Sequence, residues 1–141
     1  VVLGGLGWGS DAVAARLRSE AGVRWLDDVD RAAVAAWYAG ARVIAYPSLG
    51  EGFGFPMLEA WQSEVPILVG AETAASDLGA DAALAVDPRD VEAMAGGLLA
   101  LLDDDARVAR QVAAGRARLA DYTWERTAAA TRAVYAEAAA S

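Results

Sequence analysis

Apolar residues fall in short runs, separated by longer stretches in which they recur at helical spacing. Runs rich in Val, Ile and Leu occupy Val1–Gly5, Val23–Leu26, Arg42–Tyr46, Pro66–Gly70 and Ala83–Val86. Each is strand-length and nearly continuous in its apolar character, as expected of strands covered on both faces. Helix-length segments lie between and after them: Ser10–Glu20, Arg31–Ala39, Pro56–Ser63, Pro88–Leu102, Ala106–Ala120 and Trp124–Ala139. Several carry start signals. Asp30 precedes one helix, Pro56 fits the first turn of another, Asp87-Pro88 reads as an N-cap followed by proline, and Thr123 caps the last. Strand alternating with helix describes an α/β domain with a parallel sheet, and from Pro88 onward the pattern is purely helical. The opening Val1-Val2-Leu3, with neither Met nor a polar lead-in, reads as the middle of a buried strand. It predicts further residues upstream in a longer polypeptide.

Composition narrows the chemistry. A chain of 141 residues is long enough for one domain with a real core. It has no Cys, which excludes a disulfide scaffold, a thiolate nucleophile and a zinc–thiolate site. It has no His, which excludes a Ser-His-Asp triad and an imidazole metal cluster within these residues. Twelve basic against twenty acidic groups give a net charge of −8, the wrong sign for a nucleic-acid partner. Hydrophobic content reaches 56% largely through Ala. No apolar run approaches the roughly 18 residues needed to span a bilayer, and no signal-peptide pattern is legible. The expected class is an acidic, cytoplasmic globular domain without a transmembrane segment.

The stretch from Ala45 to Ala60, AYPSLGEGFGFPMLEA, is the most informative. A strand ends at Tyr46, a Gly-rich loop follows, and a helix starts near Pro56. Ligands of open α/β sheets bind outside the carboxyl ends of strands, which is where this loop falls. Gly50, Gly52 and Gly54 allow close approach of a ligand, and a helix start offers N–H groups and a positive dipole end suited to a diphosphate. Glu51 lies in the loop, and Glu59 lies near the helix start. A carboxylate accepts from two neighbouring hydroxyls, as in the vicinal diol of a ribose or hexose. Together these features describe a nucleotide-sugar site. A plain surface loop, with a glutamate answering the helix dipole, fits the spacing equally well.

The pattern Pro47-Ser48…Glu51-Gly52-Phe53-Gly54…Glu59-Ala60…Pro66 resembles the E-x7-E signature of family 4 glycosyltransferases, a retaining family with the GT-B fold. Further segments agree in order and spacing. Gly22-Val23-Arg24-Trp25-Leu26 is similar to the strand before the family's base-binding loop, and Ala36-Trp37-Tyr38-Ala39-Gly40-Ala41 to its L-Y-A-G-A helix end. Asp81-Ala82-Ala83-Leu84 through Val86-Asp87-Pro88 resembles its D-A-A-L-L-V-D-P strand exit, and Tyr122-Thr123-Trp124-Glu125-Arg126 its F-S-W entry to the last helix.

The resemblance implies that residues 1–141 form a Rossmann-like, C-terminal nucleotide-sugar-binding domain of a GT-B enzyme, lacking its first βα unit. The missing strand would lie between Val1–Gly5 and Arg42–Tyr46, and the acceptor-binding N-terminal domain of the same polypeptide would lie upstream. The implied reaction is metal-independent, cofactor-free transfer of a hexose, with retention, from a nucleoside-diphosphate sugar to a hydroxyl of a saccharide, lipid or small molecule. In that family the second glutamate binds the ribose and the first contacts the donor sugar. This assigns ribose to Glu59 and makes Glu51 the catalytic and sugar-contacting residue. It also implies that amides of Gly52, Phe53 and Gly54 line the donor site, that Leu58 packs beside the nucleoside, and that Leu26 and Asp27 border the base. Gly7-Trp8-Gly9 resembles mannosyltransferase members and points to GDP-mannose. The chain alone is expected to be inactive and cytoplasmic, with any attachment to a membrane surface made through the upstream domain.

Departures from the family pattern are local. Glu64 stands where a Gly usually ends the helix, Thr73 where a Gly follows the next strand, Ser76-Asp77-Leu78 for Pro-Glu-Val, and Asp27 for a common Gly. Two alternatives come from other classes: a non-catalytic Rossmann-type nucleotide-binding module, and an NAD-type domain built on Gly5-Leu6-Gly7-Trp8-Gly9. The latter has its third glycine one place early, so a tight strand-to-helix turn is the simpler reading. Asp28-Val29-Asp30 matches a metal-binding D-x-D, but Asp30 stands where an N-cap is needed. Asp103-Asp104-Asp105 reads as the break between two helices rather than a hard-cation site. The tryptophans, Trp8 apart, read as core, and the arginines of the last two helices as a solvated face.

Overall fold

A computed structural model describes residues 1–5, 7 and 10–140. The chain divides into two compact units, Val1–Gly40 and Ala41–Ser141. The glycine cluster after the first strand falls partly outside the described residues, with Leu6, Trp8 and Gly9 among those not described.

In the first unit, β1 (Val2–Leu3) and β2 (Trp25–Leu26) pair in parallel, with Val2 opposite Trp25 and Leu3 opposite Leu26. α1 (Asp11–Ser19) connects them and α2 (Arg31–Gly40) follows. Val2 is exposed rather than buried, and among the described residues β1 pairs with β2 alone. The Trp25 indole donates to the Gly4 carbonyl at 2.9 Å, and the Arg18 and Arg24 guanidinium groups cover the Trp25 and Trp37 rings. Asp30 accepts from the Ala33 N–H at 2.7 Å, so this aspartate caps α2 as its position predicts.

The second unit runs β3 (Ile44–Tyr46), α3 (Phe55–Gln62), β4 (Ile67–Gly70), α4 (Ala74–Gly79), a 3₁₀ turn (Ala80–Ala82), β5 (Leu84–Val86), α5 (Val91–Asp103), α6 (Asp105–Leu119) and α7 (Trp124–Ala139). Its sheet is parallel in the order β3-β4-β5, with Ile44 beside Ile67 and Leu68 beside Leu84. The loops 47–54, 71–73 and 87–90 therefore leave the carboxyl ends of three adjacent strands. Only β4 is buried throughout; β3 and β5 alternate, because they are the edges of this sheet. Met57, Ala60 and Trp61 of α3 join Ile67, Leu68 and Val69 in the core. Close helix approach completes it: a Cβ on Gly115 of α6 would collide with the Trp61 ring.

β4 has one polar gap. Pairing with β5 begins at Leu68, so the N–H of Ile67 points toward that side ahead of the strand it would meet. The buried Gln111 carboxamide of α6 fills the place, accepting from Ile67 N–H at 2.8 Å and donating to its C=O at 3.3 Å. α3 ends with Glu64 at φ 56°, its N–H donating to Trp61 and the Val65 N–H to Ala60. That is the double reverse bond of a helix end that favours glycine, so the missing Gly leaves a left-handed glutamate. In the β4–α4 loop Glu72 is left-handed, and Thr73 is extended and caps α4.

Three expectations are corrected. α5 starts at Val91 under Asp90, which accepts from Ala93 N–H, because Asp87 is occupied by the Arg89 N–H in the preceding turn. α4 is an additional element, six residues long, started by the reciprocal Thr73–Ser76 capping bonds. Trp124 is 77% exposed on α7, not core, because no residue of that helix is buried. The three adjacent aspartates do break and restart helices: α5 ends at Asp103, and Asp104 caps α6 through the Arg107 N–H.

Candidate functional site

The Gly-rich loop between β3 and α3 is anchored at both ends. Phe53 packs on Phe55 at 5.1 Å and on Tyr122 at 5.8 Å between ring centroids, tying the loop to the connection between α6 and α7. On the other side Glu51 Oε1 accepts from the Ala75 N–H at the start of α4, at 3.2 Å. Gly54 passes through the space between them. A Cβ there would lie 3.0 Å from the Ala75 Cβ and 3.5 Å from the Glu51 carboxyl carbon, and the residue holds φ 91°. Only glycine meets both demands.

Gly54 is also the N-cap of α3 and offers no side chain to the helix. Pro56 in the first turn has no N–H to satisfy. The N–H groups of Gly52, Phe53, Gly54 and Phe55 donate to no acceptor among the described residues. A cluster of uncommitted amides at the positive end of a helix is an anion-binding arrangement.

The two glutamates sit in opposite settings. Glu51 is half-buried, with one carboxylate oxygen on α4 and the other enclosed without a donor, as is the Ser48 hydroxyl. Tyr46, the last residue of β3, faces Glu51. Hydrogen bonding to that carboxylate, then burial, then its charge push the phenol above the ordinary tyrosine range, and Ser48 acts in the opposite sense. Glu59 stands in the second turn of α3, exposed, its carboxylate in no hydrogen bond or ion pair among the described residues. Leu58 is half-buried beside it. Leu26, half-buried at the end of β2, and the exposed Asp27 belong to the Val1–Gly40 unit.

Tyr46, Ser48, Ala75 and Tyr122 are parts of this site that the sequence reading passed over. The capping pair Thr73/Ser76 was the signal that could have located α4, and through it the amide that holds Glu51. No group of three or more Asp or Glu among the described residues could hold a metal ion. None of the described helices is long and apolar enough to cross a membrane.

Residues 1–104 match the family described as glycosyl transferases group 1. The chain belongs to that family. As a group 1 glycosyltransferase sequence it is 34% identical over 128 residues to the O-antigen chain mannosyltransferase B of Escherichia coli, a match covering 89% of this chain and 34% of that protein. It is 34% identical over 146 residues to a phosphatidyl-myo-inositol mannosyltransferase of Mycobacterium tuberculosis, covering 91% of this chain and 37% of the relative. Among solved structures, a sucrose-phosphate synthase from Thermosynechococcus elongatus matches with TM-score 0.83 and 25% identity over 99% of this chain and 38% of its own. An α,α-trehalose-phosphate synthase (UDP-forming) from Burkholderia vietnamiensis, at 21% identity and TM-score 0.71, shares the fold over 83% of this chain and 28% of its own. The chain thus has the α/β fold of GT-B C-terminal domains, and it spans a minor part of the length of these relatives.

Proposed function

We propose that this group 1 glycosyltransferase domain binds the nucleoside-diphosphate-sugar donor of a retaining hexosyl transfer, within a polypeptide whose N-terminal domain binds the acceptor. The observation that carries the reading is the set of free amides at Gly52–Phe55, flanked by the exposed Glu59 carboxylate and the enclosed Glu51 carboxylate. Amides at a helix start suit the diphosphate, Glu59 is open to the ribose diol, and Glu51 lies on the loop toward the sugar. The names of two relatives, both mannosyltransferases, support mannose as the transferred sugar, and GDP-mannose is the donor we infer.

The chemical problem is charge. The bond from the anomeric carbon to the diphosphate oxygen breaks, the carbon becomes cationic, and the acceptor hydroxyl oxygen bonds to it on the same face while its proton passes to the departing diphosphate oxygen. Amides fixed by Phe53 and Glu51 stabilise the departing anion without reorganising, and Glu51 orients the sugar. Positive charge comes from these amides and from the remainder of the polypeptide, without a metal. Such a donor places the domain in the cytoplasm, with any membrane contact made elsewhere in the polypeptide.

Calorimetric titration of the chain with GDP, UDP, ADP, GDP-mannose, UDP-glucose and NAD tests the reading. Binding of one nucleoside diphosphate and its sugar, with Kd raised roughly tenfold or more in Glu59→Ala, is the expected result. Unchanged affinity in that variant removes the ribose role, and selective NAD binding removes the donor site.

A further inference from the structure

The Gly-rich loop is held by side chains rather than by its own backbone. From Leu49 to Gly54 no backbone N–H donates to an acceptor among the described residues. Two of its side chains are tethered to other elements: Glu51 to the Ala75 N–H, and the Phe53 ring to Tyr122. Phe53 lies tilted by 47° on Phe55 at 5.1 Å and edge-on, at 71°, to Tyr122 at 5.8 Å. Both separations fall where aromatic rings attract beyond simple burial. Phe55 is exposed and only two residues along the same segment, so Tyr122 is the support from outside. That support is itself fixed. The Tyr122 N–H donates to the Leu119 C=O at the end of α6, at 3.1 Å, and its ring lies 6.3 Å from Trp61. Trp61 is buried, with its indole N–H on the Ala82 C=O at 2.9 Å. None of these contacts involves α7.

We propose that Tyr122 is a positioning residue for the donor diphosphate: its ring clamps Phe53, and thereby holds the free amides of Gly52, Phe53 and Gly54 in the array that meets the anion. The proposal rests on the reading of these amides as the diphosphate site, and adds the residue that keeps them in place. Tyr122 acts through Phe53 rather than on the ligand. Amides already in position need no ordering when the anion arrives. Without the ring the loop keeps the Glu51 tether alone, and its glycines let the amides swing apart. The clamp needs an aromatic ring and not its hydroxyl.

Two measurements on the full 141-residue chain decide it. The first needs no ligand: backbone order parameters from NMR relaxation at Gly52, Phe53 and Gly54. They are expected near about 0.85 in the parent and in Tyr122→Phe, and below about 0.6 in Tyr122→Leu, with Val69 of β4 rigid in all three. Phe53→Leu removes the clamp from the loop side and should give the same fall. Unmoved loop values in either leucine variant, or an equal fall at Val69, overturn the clamp.

The second compares Kd for the tightest binder among GDP, UDP and ADP. Tyr122→Leu is expected to raise it roughly tenfold and Tyr122→Phe to leave it within about twofold. In a Phe53→Leu background Tyr122→Leu should add nothing. A lowered Tm with unchanged affinity, or an undiminished effect in that background, overturns the positioning role. A parent chain that binds none of these ligands overturns the donor reading instead, and the order parameters still decide the clamp by themselves.

Discussion

α3 and α7 are helices held by different physics. α3 has eight residues, opens on a left-handed glycine with no side-chain cap, and is too short to be stable on its own. It exists because Met57, Ala60 and Trp61 are driven into the core against β4 and α6. α7 has sixteen residues, is rich in Ala, is capped by Thr123 through the Arg126 N–H, and buries none of its side chains. Its helicity is local, from propensity and capping. The predicted nucleotide-binding loop is attached to the first kind of helix. Its geometry is therefore set by the core of the domain, whereas α7 can fray or shift without disturbing it.

The largest test of that contrast is truncation. Met57→Ala is expected to cost about 2–5 kcal/mol in urea unfolding, and Val134→Ala on α7 less than about 0.5 kcal/mol. Comparable losses at the two positions would abolish the distinction. A smaller effect sharpens it on polar contacts. Gln111→Leu strands the Ile67 N–H and should cost about 1–3 kcal/mol, while Thr127→Ala, which removes a hydroxyl bond along α7, should be nearly silent. The smallest has the opposite sign. Glu64→Gly should stabilise by about 0.5 kcal/mol, the relief of a left-handed glutamate less glycine's added chain entropy and a surface ion pair to Arg116. A destabilised variant would show that the end of α3 is not strained.

Much of the fold was legible, and the reasons for the remainder are specific. All five strands and six helices lie where apolar periodicity puts them, because runs of Val, Ile and Leu and N-terminal caps are local signals. α4 escaped because six residues are too few to display a period, although its capping pair was written in the sequence. The start of α5 moved three residues because two aspartates competed, and Pro88 placed the first of them in a turn. At the site, the loop and both glutamates were readable from spacing and family likeness. The setting of Glu51 was not, since its hydrogen-bond donor is the Ala75 N–H at the start of α4, 24 residues further along the chain. The left-handed glutamate at position 64 was foreshadowed by the family's glycine; the one at Glu72 was not foreseen.

The carboxamide of Gln111 makes Ile67 a reporter. Elsewhere in the sheet an amide is protected by its neighbouring strand, so its exchange with solvent follows strand separation. At Ile67 the protecting group is carried by a helix, and its amide hydrogen opens to solvent when α6 lifts, even if the three strands stay paired. Exchange at this one position, timed against exchange at Val69, separates undocking of a helix from opening of the sheet.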